Sequence, residues 1–204
     1  MTLGGQEHFY LETNSTLCIP KEGNTSMSIF SSTQAVNKTQ MNCAAAIGLP
    51  ANRVEVKMKR MGGGFGGKET RTVPTACVAA IASRISNRPV KVTLDRNVDM
   101  SITGQRHAFY AKYSASAFIA DDGKMKLGGF VANVYSNAGS ALDLSGPVMD
   151  RALFHIDGPY KWQAMKVEGV CCKTFQPPHT AFRGFVSFEY IDDIDTRTYM
   201  FHIV

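Results

Sequence analysis

Arg60-Met61-Gly62-Gly63-Gly64-Phe65-Gly66-Gly67-Lys68-Glu69-Thr70 is the stretch on which fold and site both depend. Five glycines around one phenylalanine leave the backbone free to take positive φ and to bring its N–H groups up to a ligand, because no Cβ stands in the way. Such a loop suits oxygen atoms. On its N-terminal side, Arg53 to Lys59 alternates polar and apolar residues, the period of a half-buried strand. On its C-terminal side, Pro74 occupies the expected first helical position, Ala76 to Ile85 are mostly helix formers, and Asn87 with Pro89 supplies a stop. Strand, glycine loop and helix follow one another, so the loop is expected to meet a helix N-terminus, which favours anionic ligands.

Gly62, Gly67 and Lys68 match the first part of the phosphate loop G-x-x-x-x-G-K-[ST], but Glu69 stands where that motif needs a hydroxyl on Mg²⁺. A carboxylate there repels a triphosphate, which argues against nucleotide hydrolysis. A purely structural glycine turn is the plainer reading. At 204 residues, 44% of them hydrophobic and 19% charged, the chain has the composition of a globular protein able to bury a core. Its net charge of +5 is spread without long basic runs, which points away from nucleic acid and toward small anions or no special partner. The opening Met-Thr-Leu-Gly-Gly has no basic or apolar leader character, and no apolar run reaches bilayer length. A cytoplasmic location without membrane partners is expected, the peroxisome being the second compartment considered. The five cysteines, Cys18, Cys43, Cys77, Cys171 and Cys172, show no C-x-x-C spacing and read as buried small hydrophobes rather than a disulfide framework or zinc site.

Taken in order, His8–Ile19 and Ser26–Phe30 read as strands, and Ser32 or Thr33 as the cap of a helix carrying Val36, Met41, Ala44 and Ile47 and closed by Gly48 and Pro50. Gln34 then falls in the first turn of that helix, where its amide either donates to an oxo group or is simply solvated. Val90–Leu94 is a short strand that completes a βαβ unit. Ala108–Ile119 and Met125–Tyr135 flank the turn signal Asp121-Asp122-Gly123-Lys124 and form a hairpin. A short helix opens at Ser145-Gly146-Pro147 and runs through Arg151 to Ile156; that arginine, among apolar neighbours, either snorkels to solvent or faces an anion. Trp162–Thr174 is a further strand. Phe182-Arg183-Gly184-Phe185 then sets a guanidinium and a glycine between two aromatic walls, which suits a flat polar ligand or a surface turn over core phenylalanines.

Six collinear motifs carry a resemblance. They are Gly-Gly-Gln-Glu-His-Phe-Tyr-Leu-Glu-Thr (4–13), Ser-Thr-Gln (32–34), the stretch 59–69, Ile-Thr-Gly-x-Arg-His (102–107), Arg-Ala-Leu-Phe-His (151–155) and Thr-Ala-Phe-Arg-Gly-Phe (180–185). Together they closely resemble the first molybdenum-cofactor-binding region of the xanthine dehydrogenase and aldehyde oxidase family of molybdenum hydroxylases. The resemblance implies a molybdenum–molybdopterin cofactor held by the pterin rather than by protein thiolates or imidazoles. It implies that Gln34 bonds an oxygen ligand of the metal, that the Phe65 N–H, flanked by Gly64 and Gly66, approaches the oxo group, and that Arg183 serves the cofactor through its backbone. Phe185 is expected to stack on the substrate ring.

Glu69 and Arg151 bear on substrate. In the resembling purine hydroxylases, metal-bound oxygen attacks a ring carbon, hydride passes to a sulfido ligand, and negative charge builds on the ring. The resemblance assigns Arg151 to that charge and Glu69 to hydrogen bonds with the opposite edge, so a purine substrate, hypoxanthine or xanthine oxidised to urate, is expected over the aldehyde oxidase range. After Phe185 the family continues Gly-Gly-Pro-Gln, whereas this chain reads Val-Ser-Phe-Glu-Tyr-Ile-Asp-Asp-Ile-Asp. Residues 186–204 are therefore expected to be a divergent tail, and residues 1–185 a partial cofactor-binding domain with a subdomain break near residue 100. The second cofactor half, with its general-base glutamate, and the 2Fe-2S and FAD modules of a homodimeric parent are the implied partners. A non-catalytic fragment that binds no cofactor is the alternative. The expected fold is α+β, mixed sheets with packed helices in two subdomains.

Overall fold

The computed structural model describes residues 1–184. In chain order its elements are β1 (Thr2–Leu3), β2 (Ser15–Lys21), β3 (Ser26–Ser31), α1 (Val36–Ile47), a 3₁₀ turn at Ala51–Arg53, β4 (Val54–Lys57), α2 (Val73–Ser86), β5 (Val90–Thr93), α3 (Arg96–Ile102), β6 (Phe109–Ile119), β7 (Met125–Gly139), α4 (Ser145–Phe154) and β8 (Ala164–Lys173). The fold is α+β. The strands form two four-stranded sheets, each within its own unit: residues 7–105 with 180–182, and residues 1–6 with 106–179 and 183–184.

In the first unit the sheet runs β4-β3-β2-β5, with β3 and β4 parallel and the other neighbours antiparallel. α1 buries Thr39, Cys43, Ala44 and Ile47, and α2 buries Thr75, Ala76, Ala79, Ala80 and Ser83, each set recurring at helical spacing. Those faces close over Cys18, Met27, Ile29 and Val54 of the sheet to make one core. α1 ends at Gly48, left-handed at φ 68°, and the N–H groups of Gly48 and Leu49 bond the Ala45 and Ala44 carbonyls. α2 ends at Asn87, also left-handed at φ 52°.

Several sequence expectations need correction here. The strand expected over His8–Ile19 is β2, which starts at Ser15; the segment just before it is irregular, with Phe9 at φ 45°. Its backbone is held by long-range bonds instead: the Arg96 guanidinium donates to the carbonyls of Tyr10 (2.6 Å) and Leu11 (2.9 Å). Asn14 donates through its N–H (2.9 Å) and its Nδ2 (2.6 Å) to the buried Asp99 carboxylate. α1 begins at Val36, so Gln34 precedes the helix; the Thr33 hydroxyl accepts from the Ala35 N–H at 3.1 Å, outside the first turn. The glycine loop does not run straight into α2 either. Successive turns, Gly67 N–H to Gly64 O (2.8 Å) and Val73 N–H to Thr70 O (3.1 Å), separate them, and Pro74 is the second helical residue.

In the second unit the sheet runs β1-β6-β7-β8. β6 and β7 form the expected hairpin, closed by Ala120 N–H to Lys124 O at 2.9 Å. β8 returns parallel to β7 after α4, which ends at Phe154 rather than Ile156. Gly169 lets α4 sit on β8, since a Cβ there would stand 2.6 Å from Met149 Sδ. Phe109, Phe130, Val134, Val148 and Ala152 are buried in this unit's core.

Candidate functional site

The glycine loop is built around Gln34. The Gln34 N–H donates to the Lys68 carbonyl (2.7 Å), and its Oε1 accepts from the N–H groups of Gly66 (2.9 Å) and Lys68 (3.2 Å). Two donors facing one amide atom identify that atom as oxygen, so the NH₂ end remains a donor, with no partner among the described residues. The Phe65 N–H likewise has none. Phe65 takes φ 53° and leaves 46% of its surface exposed, so this donor sits on an accessible turn. Close packing explains the glycines: a Cβ on Gly64 would stand 2.5 Å from Gln34 Oε1, and one on Gly67 would stand 2.9 Å from the His8 ring.

An ion pair between the buried Lys68 and the partly exposed Glu12 fixes the loop from beneath. Glu12 Oε2 accepts from the Gly62 N–H (2.8 Å) and the Ser32 hydroxyl (2.7 Å). Lys68 Nζ donates to the Glu12 carbonyl (2.7 Å), to Ser32 Oγ (2.7 Å) and to Glu12 Oε2 (3.3 Å), and lies 4.6 Å above the Tyr10 ring. Partial burial works to raise the Glu12 pKa, but the Gly62 and Ser32 bonds and the Lys68 charge outweigh it and hold the carboxyl below its ordinary value. Burial lowers the Lys68 pKa against the pull of Glu12. The Lys68 side chain is 0% exposed. The lysine that matched a phosphate loop therefore faces inward and is spent on the framework, a second reason to set nucleotide hydrolysis aside.

Residues 180–182 close the same unit. His8 Nε2 lies 2.7 Å from the Ala181 carbonyl, which can only accept, so this nitrogen carries the proton. The Phe182 ring stacks 4.5 Å from His8, and Gly66 packs on the Ala181 carbonyl. Glu69 is half-buried at the end of the loop, and its carboxylate has no hydrogen bond or ion pair among the described residues. A groove of about 460 Å³ adjoins the clamp, with Glu12, Ser32, Phe30 and Arg60 in its walls.

Of the residues singled out in the sequence, Gln34, Gly64, Phe65, Gly66 and Glu69 share this unit. Arg151 and Arg183 belong to the other. Arg151 is exposed on α4. The Arg183 carbonyl accepts from the Arg106 guanidinium at 2.7 Å. Phe185 and the tail 186–204 lie outside the described residues. Sequence reading missed the clamp of Glu12, Ser32 and Lys68 and the backing by His8 and Ala181, although all five fall inside the quoted motifs. Among the described residues no cluster of His, Cys, Asp and Glu could hold a metal, and no helix is long and apolar enough to cross a membrane. The free donors suit oxygen atoms of a ligand.

Comparison with known proteins identifies the family. The family model described as "Molybdopterin cofactor-binding domain" matches residues 1–191. The chain is 50% identical over 186 residues to xanthine dehydrogenase/oxidase of Felis catus, covering 90% of this chain and 13% of that protein. It is 48% identical over 183 residues to xanthine dehydrogenase of Oryza sativa subsp. japonica, covering 90% and 13%. The chain thus spans about an eighth of the length of the curated relatives it matches. Among solved structures, the aldehyde oxidoreductase from Desulfovibrio desulfuricans superposes with TM-score 0.81 at 18% identity, covering 96% of this chain and 22% of that one. The aldehyde oxidoreductase from Desulfovibrio gigas gives 0.78 at 21% identity, covering 90% and 20%. These structural likenesses speak to the fold, and the family model settles the kinship: the chain belongs to the molybdopterin cofactor-binding domain family.

Proposed function

We propose that this chain holds a molybdenum–molybdopterin cofactor against its glycine loop and forms part of a molybdenum hydroxylase that oxidises purines. The observation that carries the reading is a pair of donors without a partner among the described residues, the Gln34 amide NH₂ and the Phe65 N–H, on a loop whose own cation is buried beneath it. Those donors fit a group that presents oxygen ligands. When bound, the cofactor supplies two-electron oxidation of a carbon centre with oxygen drawn from water.

The protein's part is to bind and orient. Gln34, fixed by two loop N–H groups, donates to one oxygen of the group. Phe65 donates to another from a backbone that Gly64 and Gly66 leave open, and Arg183 contributes its backbone. Glu69, a half-buried carboxylate without a partner among the described residues, accepts from ring N–H groups along one edge of a purine. Arg151 stabilises charge that develops on that ring, and Phe185 stacks on it; both assignments rest on the motifs that carry them. An aldehyde offers Glu69 no such N–H, which favours the purine. Residues 1–185 make up the domain in this reading, with 186–204 outside it. A second cofactor-binding half and the 2Fe-2S and FAD modules of a longer dimeric parent are its proposed partners.

Equilibrium titration of the cofactor-loaded chain with xanthine and with benzaldehyde tests the substrate claim. Glu69→Ala and Arg151→Ala should each weaken xanthine binding about tenfold or more, in keeping with a lost charge-assisted hydrogen bond, and leave benzaldehyde unchanged. Tighter binding of benzaldehyde than of xanthine, indifferent to both substitutions, would overturn it.

A further inference from the structure

Three thiols that the proposed function does not use converge in the core of the glycine-loop unit: Cys18 on β2, Cys43 on α1 and Cys77 on α2. The Sγ atoms of Cys43 and Cys77 are 3.9 Å apart, in van der Waals contact. Cys18 turns instead to the backbone of α2, 4.0 Å from the Ala76 carbonyl. Ala44, Ala76 and Ala80 are buried beside them, so α1 and α2 meet with little bulk between their backbones. Accessibility differs within the pair. Cys43 is 0% exposed, while Cys77 is only half-buried.

We infer that Cys43 and Cys77 are a redox modification site, at which a low-molecular-weight disulfide converts the two thiols into one intramolecular disulfide joining α1 to α2. Cys77, the accessible member, attacks as thiolate on one sulfur of the small disulfide; its S–S bond breaks, one thiolate leaves, and a mixed disulfide forms on Cys77. Cys43 gives its proton to solvent and attacks the Cys77 sulfur, displacing the second small thiolate. Two protein thiols are oxidised, one small disulfide is reduced to two thiols, and no other reactant is required. An S–S bond of about 2.05 Å asks the sulfurs to close roughly half their present separation, within reach of side-chain rotation where two helices are already this close. Burial raises the Cys43 pKa, with the neighbouring Cys77 adding to it. Cys43 therefore stays a thiol until the mixed disulfide presents it with a target.

The bond has a consequence for the loop site. α1 begins two residues after Gln34, and α2 begins soon after Glu69. The crosslink ties together the two helices that follow the donor amide and the glycine loop, and it restricts their separation in the unfolded chain.

The test is incubation of the 204-residue chain with oxidised glutathione, alkylation, and peptide mapping by mass spectrometry without reduction, beside the same treatment in concentrated urea. A Cys43–Cys77 crosslink should dominate the native digest and the urea digest should be scrambled. Cys43→Ala should arrest at glutathione on Cys77, and Cys77→Ala should leave Cys18 and Cys43 unmodified. The oxidised wild type should melt at higher temperature than the reduced form, and reduction with dithiothreitol should reverse the gain. A dominant Cys18–Cys77 pair, glutathione persisting on Cys77 in the wild type, or a native digest as scrambled as the urea digest would overturn the inference.

Discussion

Lys68 and Glu12 show how one pair of residues can hold a ligand loop without touching a ligand. The ammonium has three donors and all three are used, on the Glu12 carbonyl, Glu12 Oε2 and Ser32 Oγ. Lys68→Met should cost about 3 kcal/mol in urea unfolding, because it strands partners arranged around a charge. Glu12→Gln should cost less, about 1 kcal/mol, since that side chain is 40% exposed and the amide keeps part of the bonding. The Glu12 carboxyl sits below its ordinary 4.5, so its stabilisation is complete above that pH and is lost as pH falls through the lowered folded value. Acid unfolding of the Glu12→Gln variant should show a shallower pH dependence below 4.5 than the wild type; identical profiles would mean that the clamp carries no linkage. Gly64→Ala should destabilise by about 1–3 kcal/mol in the same assay, because its Cβ would stand 2.5 Å from the Gln34 oxygen, which two N–H groups pin.

At the scale of elements, two glycines on neighbouring strands contrast a left-handed position hemmed in by backbone with one crowded only by flexible side chains. Gly139 ends β7 at φ 77° against the Pro177 carbonyl, whereas Gly169 on β8 faces the flexible ends of Met149 and Leu153. Gly139→Ala should therefore cost about 2–3 kcal/mol and Gly169→Ala about 1 kcal/mol, read from thermal or urea unfolding. Equal costs would contradict the argument that a left-handed φ and rigid backbone neighbours together cost more than flexible side chains. His107, which lies just before β6 and bonds Ser145 Oγ at 2.7 Å, adds a pH dependence to the same unit. Burial first and then the neighbouring His179 and Arg106 push its pKa from 6.5 to about 4, against the opposing pull of Asp143. The unfolded chain binds a proton below pH 6.5 that the folded chain refuses until about pH 4, so stability falls across that window by up to about 3 kcal/mol. In His107→Gln the decline between pH 6.5 and 4 should flatten.

The same elements show what local sequence carries and what it omits. α1, α2 and the β6–β7 hairpin were legible because Gly48, Asn87 and the Asp-Asp-Gly-Lys turn supply left-handed or turn conformations that few other residues take. The segment before Ser15 was misread as strand because Phe9, Tyr10, Leu11 and Thr13 favour sheets, yet its hydrogen bonds go to Arg96 and Asp99, about 85 residues away. α3 escaped notice although Asp95 stands at its N-cap, since its seven residues are too few to display helical periodicity. In the site, motif and chemistry single out Gln34, Phe65 and Glu69, and all three fall in the glycine-loop unit. The Glu12–Lys68 pairing was not, because it joins residues 56 positions apart that only the folded sheet brings together.

For the whole molecule, each unit carries its own sheet and buried core, and the glycine loop with its clamp lies entirely within one of them. The loop unit therefore presents the Gln34 and Phe65 donors from its own framework, and cofactor retention should follow those donors. The most direct measurement is molybdenum per chain, by elemental mass spectrometry, on the purified 204-residue chain expressed in a host that makes the pterin cofactor, alongside Gln34→Ala. The expected result is near-stoichiometric molybdenum in the wild type and a loss of about tenfold in Gln34→Ala, with both chains folded by circular dichroism. A folded wild-type chain without molybdenum, or a Gln34→Ala variant that retains it fully, would contradict the assignment of this loop as the cofactor's cradle.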